Sequence, residues 1–527
     1  MQQANTFPVG IFLKFLCSLA IAVMLVSCGG GSTPTYTISG TVSGLTSGTL
    51  VLKNNNGDDL TINANSTSFT FVTAQASGAG YAVTVGTQPS GLTCSVSSGS
   101  GTIASANVTN VVVACIPPWI GTKQLGVTGQ VTSGNFLAND ASGNVYVAGY
   151  TDGGLDGNTL SGTGSNDFFV TKYNSSGVKQ YTRQLGVAGQ STSGSSVATD
   201  TSGNVYVVGD TNGALDGNTL TGIRDFFVTK YDSSGVKQYT RQLGVAGGFT
   251  LGTSVATDAN GNVYVAGAIL GGLDGNTGSG GGTDFFFTKY NSSGDKQYTR
   301  QMGSGGTVGR SLATDDSGNV YVAGYTGGGL DGNTLTGNQD FFVTKYDISG
   351  VKQYTRQLGV AGQFTIGISV ATDDSGNVYV AGYTEGALDG NTLTGNRDFF
   401  VTKYNSSGVK QYTRQLGVAG QSTAGSSVAT DASGNVYVVG YTDGGLDGNT
   451  LTGSQDFFVT KYNSSGVKQY TRQLGVAGQA TVGKSVATDT SGNVYVVGDT
   501  NGALDGNTQT GTRDSFVTKY NNSGVKQ

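Results

Sequence analysis

The sequence predicts an all-β protein, a seven-bladed β-propeller of four-stranded blades preceded by a small β-sandwich. The string Gly-Asn-Val-Tyr-Val occurs seven times, in steps of 57 to 60 residues, which indicates a repeat architecture. Each repeat contains four short runs rich in β-branched and aromatic residues, separated by turns. A surplus strand at 119–126 matches the strand that the last repeat lacks.

One repeat illustrates the blade. It starts at Ser427 with "SVATD", turns at "ASGN" and continues as "VYVVGYT". A long loop, "DGGLDGNTLTGSQD", leads to "FFVTKYN", and the turn "SSG" leads to "VKQYTRQLG". Phe457 and Val459 alternate with Phe458 and Thr460, the period of a strand. No segment has helical periodicity, so four antiparallel strands per repeat and seven repeats favour a propeller over a linear solenoid.

The two ends of the repeat region support ring closure. The segment "GTKQLG" at 121–126 parallels the recurring "YTRQLG", but no blade of its own accompanies it. The last repeat stops at "NNSGVKQ", within its fourth strand. A ring can use residues 119–126 to complete the seventh blade, whereas a solenoid needs capping ends instead. Truncation is the alternative explanation of the ending, but it leaves the surplus strand unexplained.

The phrase "D-x-S-G-N-V-Y-V-x-G-Y-T" resembles the bacterial SBBP propeller repeat over residues 119–527. The resemblance implies a seven-bladed propeller and no single activity, because one fold carries many functions.

Residue composition excludes several kinds of active site. The chain has no His, and Glu385 is its only Glu, so Ser-His-Asp and Cys-His nucleophiles and His-ligated metals are excluded. A hydrolase that uses paired Asp carboxylates stays open. The net charge of −5 and the pI of about 4.8 disfavour nucleic-acid binding.

Residues 1–28 predict a lipoprotein signal peptide. Lys14 precedes an apolar run that is too short for a comfortable membrane span. The run ends in Leu-Val-Ser-Cys, which resembles the bacterial lipobox and implies lipidation of Cys28. An ordinary secretory signal is the alternative. Residues 29–35 are expected to form a flexible tether, and Gly29 after the Cys resembles an outer-membrane lipoprotein.

Residues 36–116 predict the β-sandwich, which resembles Ig-like or prealbumin-like spacer domains of bacterial surface proteins. Short β-rich runs are separated by Gly, Asn and Ser. Cys94 and Cys115 are expected to form one disulfide between the last two strands, because the chain is exported; two free thiols are the alternative. A stalk is the favoured role, with a separate binding domain as the alternative.

The loops indicate which face of the propeller could bind a ligand. The first and third turns of each blade are short, whereas the second and the inter-blade connections are long and share the opposite face. Five substitutions in or next to the inter-blade loops predict a recognition surface there: Phe249, Arg310, Phe364, Ile366 and Lys484. Drift at permissive positions is the alternative.

Three Asp residues recur in most repeats: one in the first turn, one in "LDGNT" and one that starts the third strand. Three pairs in the long loop could begin a calcium site, which needs several oxygens: Asp152 with Asp156, Asp210 with Asp216, and Asp443 with Asp447. The favoured interpretation is hydrogen bonding within the loop, with no cofactor. Lys179, Tyr181 and Arg183 of the fourth strand suggest a basic-aromatic ring or, as favoured, charges that protect an outer edge strand.

These observations lead to three hypotheses of function. The first is a lipid-anchored, non-enzymatic binding or adhesion protein at the outer membrane, expected as a monomer, with a protein or glycan ligand. The second is a periplasm-facing scaffold for envelope assembly. The third is an Asp-based enzyme that acts on polysaccharide, which the absence of a unique acid and base disfavours.

Overall fold

The computed structural model describes residues 34–162 and 164–527. The chain divides into two compact units, one ending at Ile116 and the other starting at Pro117. The predicted signal peptide, the predicted lipidation site Cys28 and most of the predicted tether lie outside the described residues. Within the described residues, every helix is too short or too polar to cross a membrane.

The first unit is formed by two four-stranded sheets around one core. The sheets have the orders β5-β2-β10-β8 and β4-β3-β7-β9, and β1 pairs with β6. Ile38, Leu50, Leu52 and Val111 are fully buried in the core because alternate residues of the strands are apolar. The strands are β1 Thr35–Tyr36, β2 Ile38–Ser43, β3 Thr49–Asn54, β4 Asp58–Asn63, β5 Ser68–Thr70, β6 Gln75–Ala76, β7 Gly80–Thr87, β8 Thr93–Ser97, β9 Ser100–Thr102 and β10 Val108–Ile116.

The last two long strands of this unit are cross-linked. β10 runs parallel to β2 and antiparallel to β8, and this register places Cys115 directly opposite Cys94. The two residues form a disulfide. The predicted bridge therefore lies where the sequence expected it.

The second unit consists of seven four-stranded sheets, numbered as blades 1 to 7 in chain order, with strands a to d. The a strands are Thr132–Asn139, Thr192–Thr199, Thr250–Thr257, Thr307–Thr314, Thr365–Thr372, Thr423–Thr430 and Thr481–Thr488. The b strands are Val145–Thr151, Val205–Thr211, Val263–Ile269, Val320–Thr326, Val378–Thr384, Val436–Thr442 and Val494–Thr500. The c strands are Asp167–Tyr173, Asp225–Tyr231, Asp284–Tyr290, Asp340–Tyr346, Asp398–Tyr404, Asp456–Tyr462 and Asp514–Tyr520. The d strands of blades 1 to 6 are Lys179–Leu185, Lys237–Leu243, Lys296–Met302, Lys352–Leu358, Lys410–Leu416 and Lys468–Leu474.

Five of the b–c loops contain a short 3-10 turn: Leu155–Gly157, Leu215–Gly217, Leu388–Gly390, Leu446–Gly448 and Leu504–Gly506. The leucine of each turn is buried in the core between blades.

Blade 7 confirms the predicted closure. Its d strand is Lys123–Leu125, which pairs antiparallel with strand c, Asp514–Tyr520. The carboxylate of Asp505 accepts hydrogen bonds from the Thr122 hydroxyl at 2.9 Å and from the ammonium group of Lys526. One side chain thereby holds both ends of the propeller, and the ring is the seven-bladed fold that the repeat count predicted.

The core lies between neighbouring blades. In six of the seven seams a strand-c phenylalanine stacks on that of the next blade, as Phe168 does on Phe227, with ring centroids 4.9 to 5.2 Å apart. Around the axis, threonine hydroxyls at the ends of the a strands donate to the carbonyl of the preceding blade, at 2.7 to 2.9 Å. These contacts fix the blades around a channel of about 370 Å³ that the a strands line.

The seam between blades 7 and 1 differs from the other six. Ser515 stands where the other blades have phenylalanine, so this seam has no aromatic stack. At the other end of this seam, Trp119 is buried against Tyr173 of blade 1 and Tyr495 of blade 7, at 6.0 and 5.6 Å between ring centroids, and packs against Gly177 as Tyr181 of strand d packs against Gly235. A single tryptophan therefore supplies apolar contact where the ring closes.

Candidate binding site at the channel mouth

The two faces of the propeller are built differently. The a–b turns lie beside the c–d turns: in blade 1, a Cβ atom at Gly143 of the a–b turn would lie 3.4 Å from Ser175 Cβ of the c–d turn. The b–c and d–a loops meet on the opposite face, where Thr192 N donates to Asn166 O, at 2.7 Å. This arrangement is the one expected from the loop lengths, and the long-loop face surrounds the start of each a strand.

Two side-chain positions differ between blades at the mouth of the channel on this face. The first, the bulge position, lies where strand a shifts register against strand b, and it holds Asn135, Ser195, Thr253, Arg310, Ile368, Ser426 and Lys484. The second, the seam position, is the sixth residue of strand b and holds Tyr150, Asp210, Ala268, Tyr325, Tyr383, Tyr441 and Asp499. The backbone repeats sevenfold, but these side chains do not.

Three consecutive blades carry tyrosine at the seam position. We call Tyr325, Tyr383 and Tyr441, together with Arg310 and Arg397, the tyrosine sector; all three tyrosines are partly exposed. The guanidinium carbon of Arg310 lies 5.5 Å from the Tyr325 ring centroid, and that of Arg397 lies 4.1 Å from the Tyr383 centroid. Arg397 also pairs with Glu385 at 2.9 Å. The sector thus combines aromatic faces with guanidinium groups.

The sector is continuous across blade boundaries. Burial raises the pKa of Tyr383, while the positive charges of Arg397 and Arg310 oppose that rise. Arg310 belongs to blade 4 and Tyr383 to blade 5, so the guanidinium is within electrostatic reach of the neighbouring blade. Tyr441 of blade 6 adds to the rise in the pKa of Tyr383.

Two blades carry aspartate at the seam position, and each carboxylate has a cationic partner. Asp210 lies 3.1 Å from Arg224, and burial raises the pKa of Asp210 to about 6 although Arg224 opposes the rise. Asp499 accepts hydrogen bonds from Lys484, from the Ser133 hydroxyl at 3.0 Å and from the amide of Gly134 at 3.0 Å. Both carboxylates therefore hold the structure together locally.

The five predicted recognition residues divide into two groups. Arg310 and Phe364 are exposed, and Phe249 is partly exposed, so all three are accessible from the long-loop face. Ile366 is only 4% exposed, so its prediction as a contact residue is wrong: its strand-a position points into the protein. Lys484 is partly exposed, but its ammonium group binds Asp499, Ser133 and Asn135, which makes it a bridge between blades 7 and 1.

The suggested calcium pairs are not formed. Asp156 bonds Lys179 and Thr182 of strand d, Asp216 and Asp447 bond the equivalent lysines, and Asp210 bonds Arg224. Asp443 accepts from Gln455 at 2.9 Å, and burial raises the pKa of Asp152. Residues 34–162 and 164–527 contain no group of three acidic, Cys or His side chains that could hold a metal. The favoured interpretation needs correction too, because the partners of the "LDGNT" aspartates lie on strand d and not within the loop.

The basic and aromatic residues of strand d have a second role that the edge-charge interpretation missed. Arg183 Nε donates to Gly235 O in the c–d turn of the next blade, at 2.7 Å. The guanidinium also lies 4.8 Å from the centroid of the Tyr181 ring, on which Gly235 packs. In blades 1 to 6, the strand-d arginine and tyrosine therefore join the blade to the c–d turn of the next one.

The sequence also contains a signal for the tyrosine sector. Strand b ends in "GYT" in four blades, "GDT" in two and "GAI" in one. The second residue of this triplet is the seam position, and its variation between blades indicates a variable surface in the same way as the loop substitutions that included Arg310. Its location at the channel mouth became apparent only from the folded ring.

Comparison with known families is consistent with this architecture. Seven segments match the family described as "SBBP: Beta-propeller repeat", at residues 120–156, 180–215, 238–274, 297–331, 353–388, 411–447 and 469–504. The chain carries seven SBBP repeats. Each SBBP match starts in or just before a d strand and runs through the next blade's a and b strands, so it bridges two structural blades.

Two curated proteins share part of the SBBP region. The regulatory protein FlaEY of Caulobacter vibrioides is 28% identical over 377 residues, 61% of this chain and 38% of its own length. An uncharacterized WD repeat-containing protein of Acanthamoeba polyphaga mimivirus is 25% identical over 224 residues, 32% of this chain and 16% of its own length. The chain therefore spans well under two thirds of either relative.

Solved propellers resemble the SBBP region distantly. The WD40 beta propeller domain of Doa1 covers 76% of this chain and 97% of its own, at 11% identity and a TM-score of 0.42. The beta-propeller domain of the Trilobed protease from Pyrococcus furiosus has 6% identity and a TM-score of 0.40, covering 76% and 95%. A polysaccharide lyase, ulvan lyase, has 13% identity and a TM-score of 0.38, covering 62% and 81%. We draw no functional conclusion from likenesses of this level.

Proposed function

We propose that this protein is a lipid-anchored, non-enzymatic binding protein of the cell envelope that presents the channel mouth of its propeller to a protein or glycan ligand. The observation that carries the proposal is the tyrosine sector. The backbone there repeats in every blade, yet three adjacent blades present partly exposed aromatic rings beside Arg310. Concave sites with aromatic walls and few polar groups are typical of ligand binding.

The acidic residues of the mouth favour binding over hydrolysis. A paired-carboxylate mechanism needs one acid and one base free to act on the substrate. Asp210 is paired with Arg224, and Asp499 with Lys484, so both carboxylates at the seam position are occupied by cations. Binding without a chemical step is the activity that these contacts support.

Single variants test whether the ligand binds at the channel mouth. Each variant introduces a residue that another blade has at the equivalent position. Arg310→Thr introduces the residue of the same position in blade 3, and Phe364→Ser introduces that of blades 2 and 6. Binding of the purified full-length chain to immobilised envelope polysaccharide and, separately, to solubilised envelope protein is measured by surface plasmon resonance. We expect both variants to weaken binding to one of these two probes.

Ile348→Ser is the matched control on the opposite face. Ile348 is exposed in a c–d turn, where most other blades have serine. We expect unchanged binding for this variant. Loss of binding in Ile348→Ser with full binding in the two mouth variants would assign the ligand to the short-turn face and refute the proposal.

The anchor and its orientation are tested separately. Cys28→Ala should move the protein from the membrane fraction to the soluble envelope fraction, since the lipobox resemblance assigns the lipid to this residue. Proteinase K treatment of intact and lysed cells, with an epitope near the C-terminus and a cleavage site within residues 29–35, measures exposure. Cleavage in intact cells supports display at the surface. Protection until lysis contradicts the adhesion role and favours the periplasmic scaffold.

A further inference from the structure

We propose that the tyrosine sector binds an acidic saccharide, with sugar rings stacked on its tyrosines and a carboxylate or sulfate group of the sugar paired with Arg310. This inference rests on the proposed function, because it specifies the ligand class of the same mouth. It makes a stronger claim, since a neutral glycan or a polypeptide would satisfy the proposed function and contradict the inference.

The aromatic part of the argument concerns geometry. Tyr325, Tyr383 and Tyr441 occupy one position on three successive b strands, which pair on both sides within their blades. Their rings therefore lie on a rigid scaffold that loses little conformational entropy when a ligand binds. A row of partly exposed rings, each with a hydroxyl group at its edge, suits a ligand with alternating apolar faces and hydroxyl edges. A chain of sugar units has this character.

The charged part of the argument concerns Arg310. Its side chain is exposed, and no carboxylate lies within 4.0 Å of its guanidinium group among residues 34–162 and 164–527. Three other cations at the mouth are paired: Arg224 with Asp210, Arg397 with Glu385 and Lys484 with Asp499. A further one, Arg513 of blade 7, lies within electrostatic reach of Asp152 and Asp499. The Arg310 guanidinium lies over the face of the Tyr325 ring. This contact leaves the N–H groups of the guanidinium available to an anion. Guanidinium groups bind carboxylate and sulfate oxygens in a fork geometry.

The opposite part of the mouth lacks the features that would bind such a ligand. Asp210 and Asp499 occupy the seam position of blades 2 and 7, and each is paired with a cation of the protein. A saccharide with regularly spaced anionic groups is therefore expected to bind across blades 4 to 6, where three successive tyrosines lie beside Arg310. The tyrosine row, and not a difference in acidic residues, selects one sector of an otherwise sevenfold surface.

The chain itself supplies conservative test variants. Blade 3 has Thr253 at the bulge position and Ala268 at the seam position, and its strands pair in the common register. Arg310→Thr and Tyr383→Ala are thus compatible with the fold. Tyr150→Ala is the matched control, because Tyr150 holds the same position in blade 1, outside the tyrosine sector.

The experiment is calorimetric titration of the full-length chain with three probes: oligogalacturonate, its fully methyl-esterified neutral form, and a sulfated oligosaccharide of the same length. We expect binding of at least one acidic probe and no measurable binding of the neutral one. Arg310→Thr should weaken it roughly ten- to a hundredfold, the range for losing hydrogen bonds to a charged group. Tyr383→Ala should weaken it about tenfold, and Tyr150→Ala should leave it unchanged.

Each other result has a defined meaning. Equal affinity for the neutral and acidic oligomers, or equal loss in Tyr150→Ala and Tyr383→Ala, would overturn the inference. Failure of every saccharide to bind would also overturn it. The proposed function survives that last result only if envelope protein still binds the wild-type chain and not Arg310→Thr. Preference for the carboxylate or the sulfate probe then identifies the anion.

Discussion

The aspartate of each "LDGNT" segment adopts a left-handed backbone conformation, with φ between 53° and 57° in all seven blades. A side chain with a Cβ atom rarely adopts this conformation, but Asp and Asn tolerate it. The turn directs the carboxylate to the lysine and, in blade 1, the threonine of strand d, which explains the aspartate without a metal. The repeated residue is thus a structural contact between the long loop and the outer strand.

This role predicts a graded response at Asp389. Asp389→Asn keeps the backbone preference and loses the pair with Lys410, which should cost at most about 1 kcal/mol because both side chains are partly solvated. Asp389→Ala also loses the preference for the left-handed conformation, which adds about 1–2 kcal/mol. Urea denaturation measures both. A rise of Tm with calcium in the wild type but not in Asp389→Asn would instead establish a calcium site.

Asp210 predicts a pH dependence. Its pKa is raised by burial to about 6, so the folded state retains the proton longer than the unfolded state, and this residue lowers stability as the pH rises from about 4 to about 6. Asp210→Asn should therefore gain stability relative to the wild type across this interval, measured by urea denaturation at pH 4.5 and 7. A constant difference between the two proteins would refute the burial effect.

Asp232→Asn is the control with the opposite sign. A hydrogen bond from the Ser234 hydroxyl lowers the pKa of Asp232, whose stabilising contribution is therefore present near neutral pH and lost in acid. Asparagine occupies this position in other blades, for example at Asn174 and Asn405, so the fold tolerates the change.

At the scale of elements, the contact between strand d and the next c–d turn determines how blades stack. Tyr354 packs under Gly408, where an added Cβ would lie 2.9 Å from the ring, and Arg356 donates to Gly408 O at 2.7 Å. Two constraints require glycine at position 408: its φ of +76° and the close approach of the Tyr354 side chain. The aromatic residue of one blade and the glycine of the next are therefore one structural unit.

Two glycine substitutions separate these requirements. Gly390 has a φ of +77° with open space around its Cβ position, so Gly390→Ala should cost only the conformational penalty of about 1–2 kcal/mol. Gly408→Ala incurs the same penalty and also displaces Tyr354, so its free energy of unfolding should fall further, by about 1–3 kcal/mol. Equal losses of free energy of unfolding in the two variants would mean that the Tyr354 side chain moves aside without destabilising the protein.

For the whole molecule, closure of the ring depends on the seam between blades 7 and 1. Trp119→Ala removes the large aromatic side chain that takes the place of a strand-d tyrosine at this seam, and we expect a loss of about 3–5 kcal/mol in the free energy of unfolding. Ile120→Ala is the control, since Ile120 is 70% exposed and should be nearly neutral. A small effect of Trp119→Ala would show that strand pairing alone closes the ring.

The sequence by itself determined the all-β class, the seven blades, the strand that closes blade 7 and the disulfide partners. Each depends on local period, spacing or counting, and a repeat displays these seven times. Only the tertiary structure decided that Ile366 is buried, that the "LDGNT" aspartates bond strand d, and that Lys484 bridges two blades. These facts depend on which residues meet in space after folding, within a blade for the aspartates and across a seam for Lys484. The partners of Lys484, Ser133 and Asn135, are some 350 residues away in the chain, and their proximity exists only once the ring has closed.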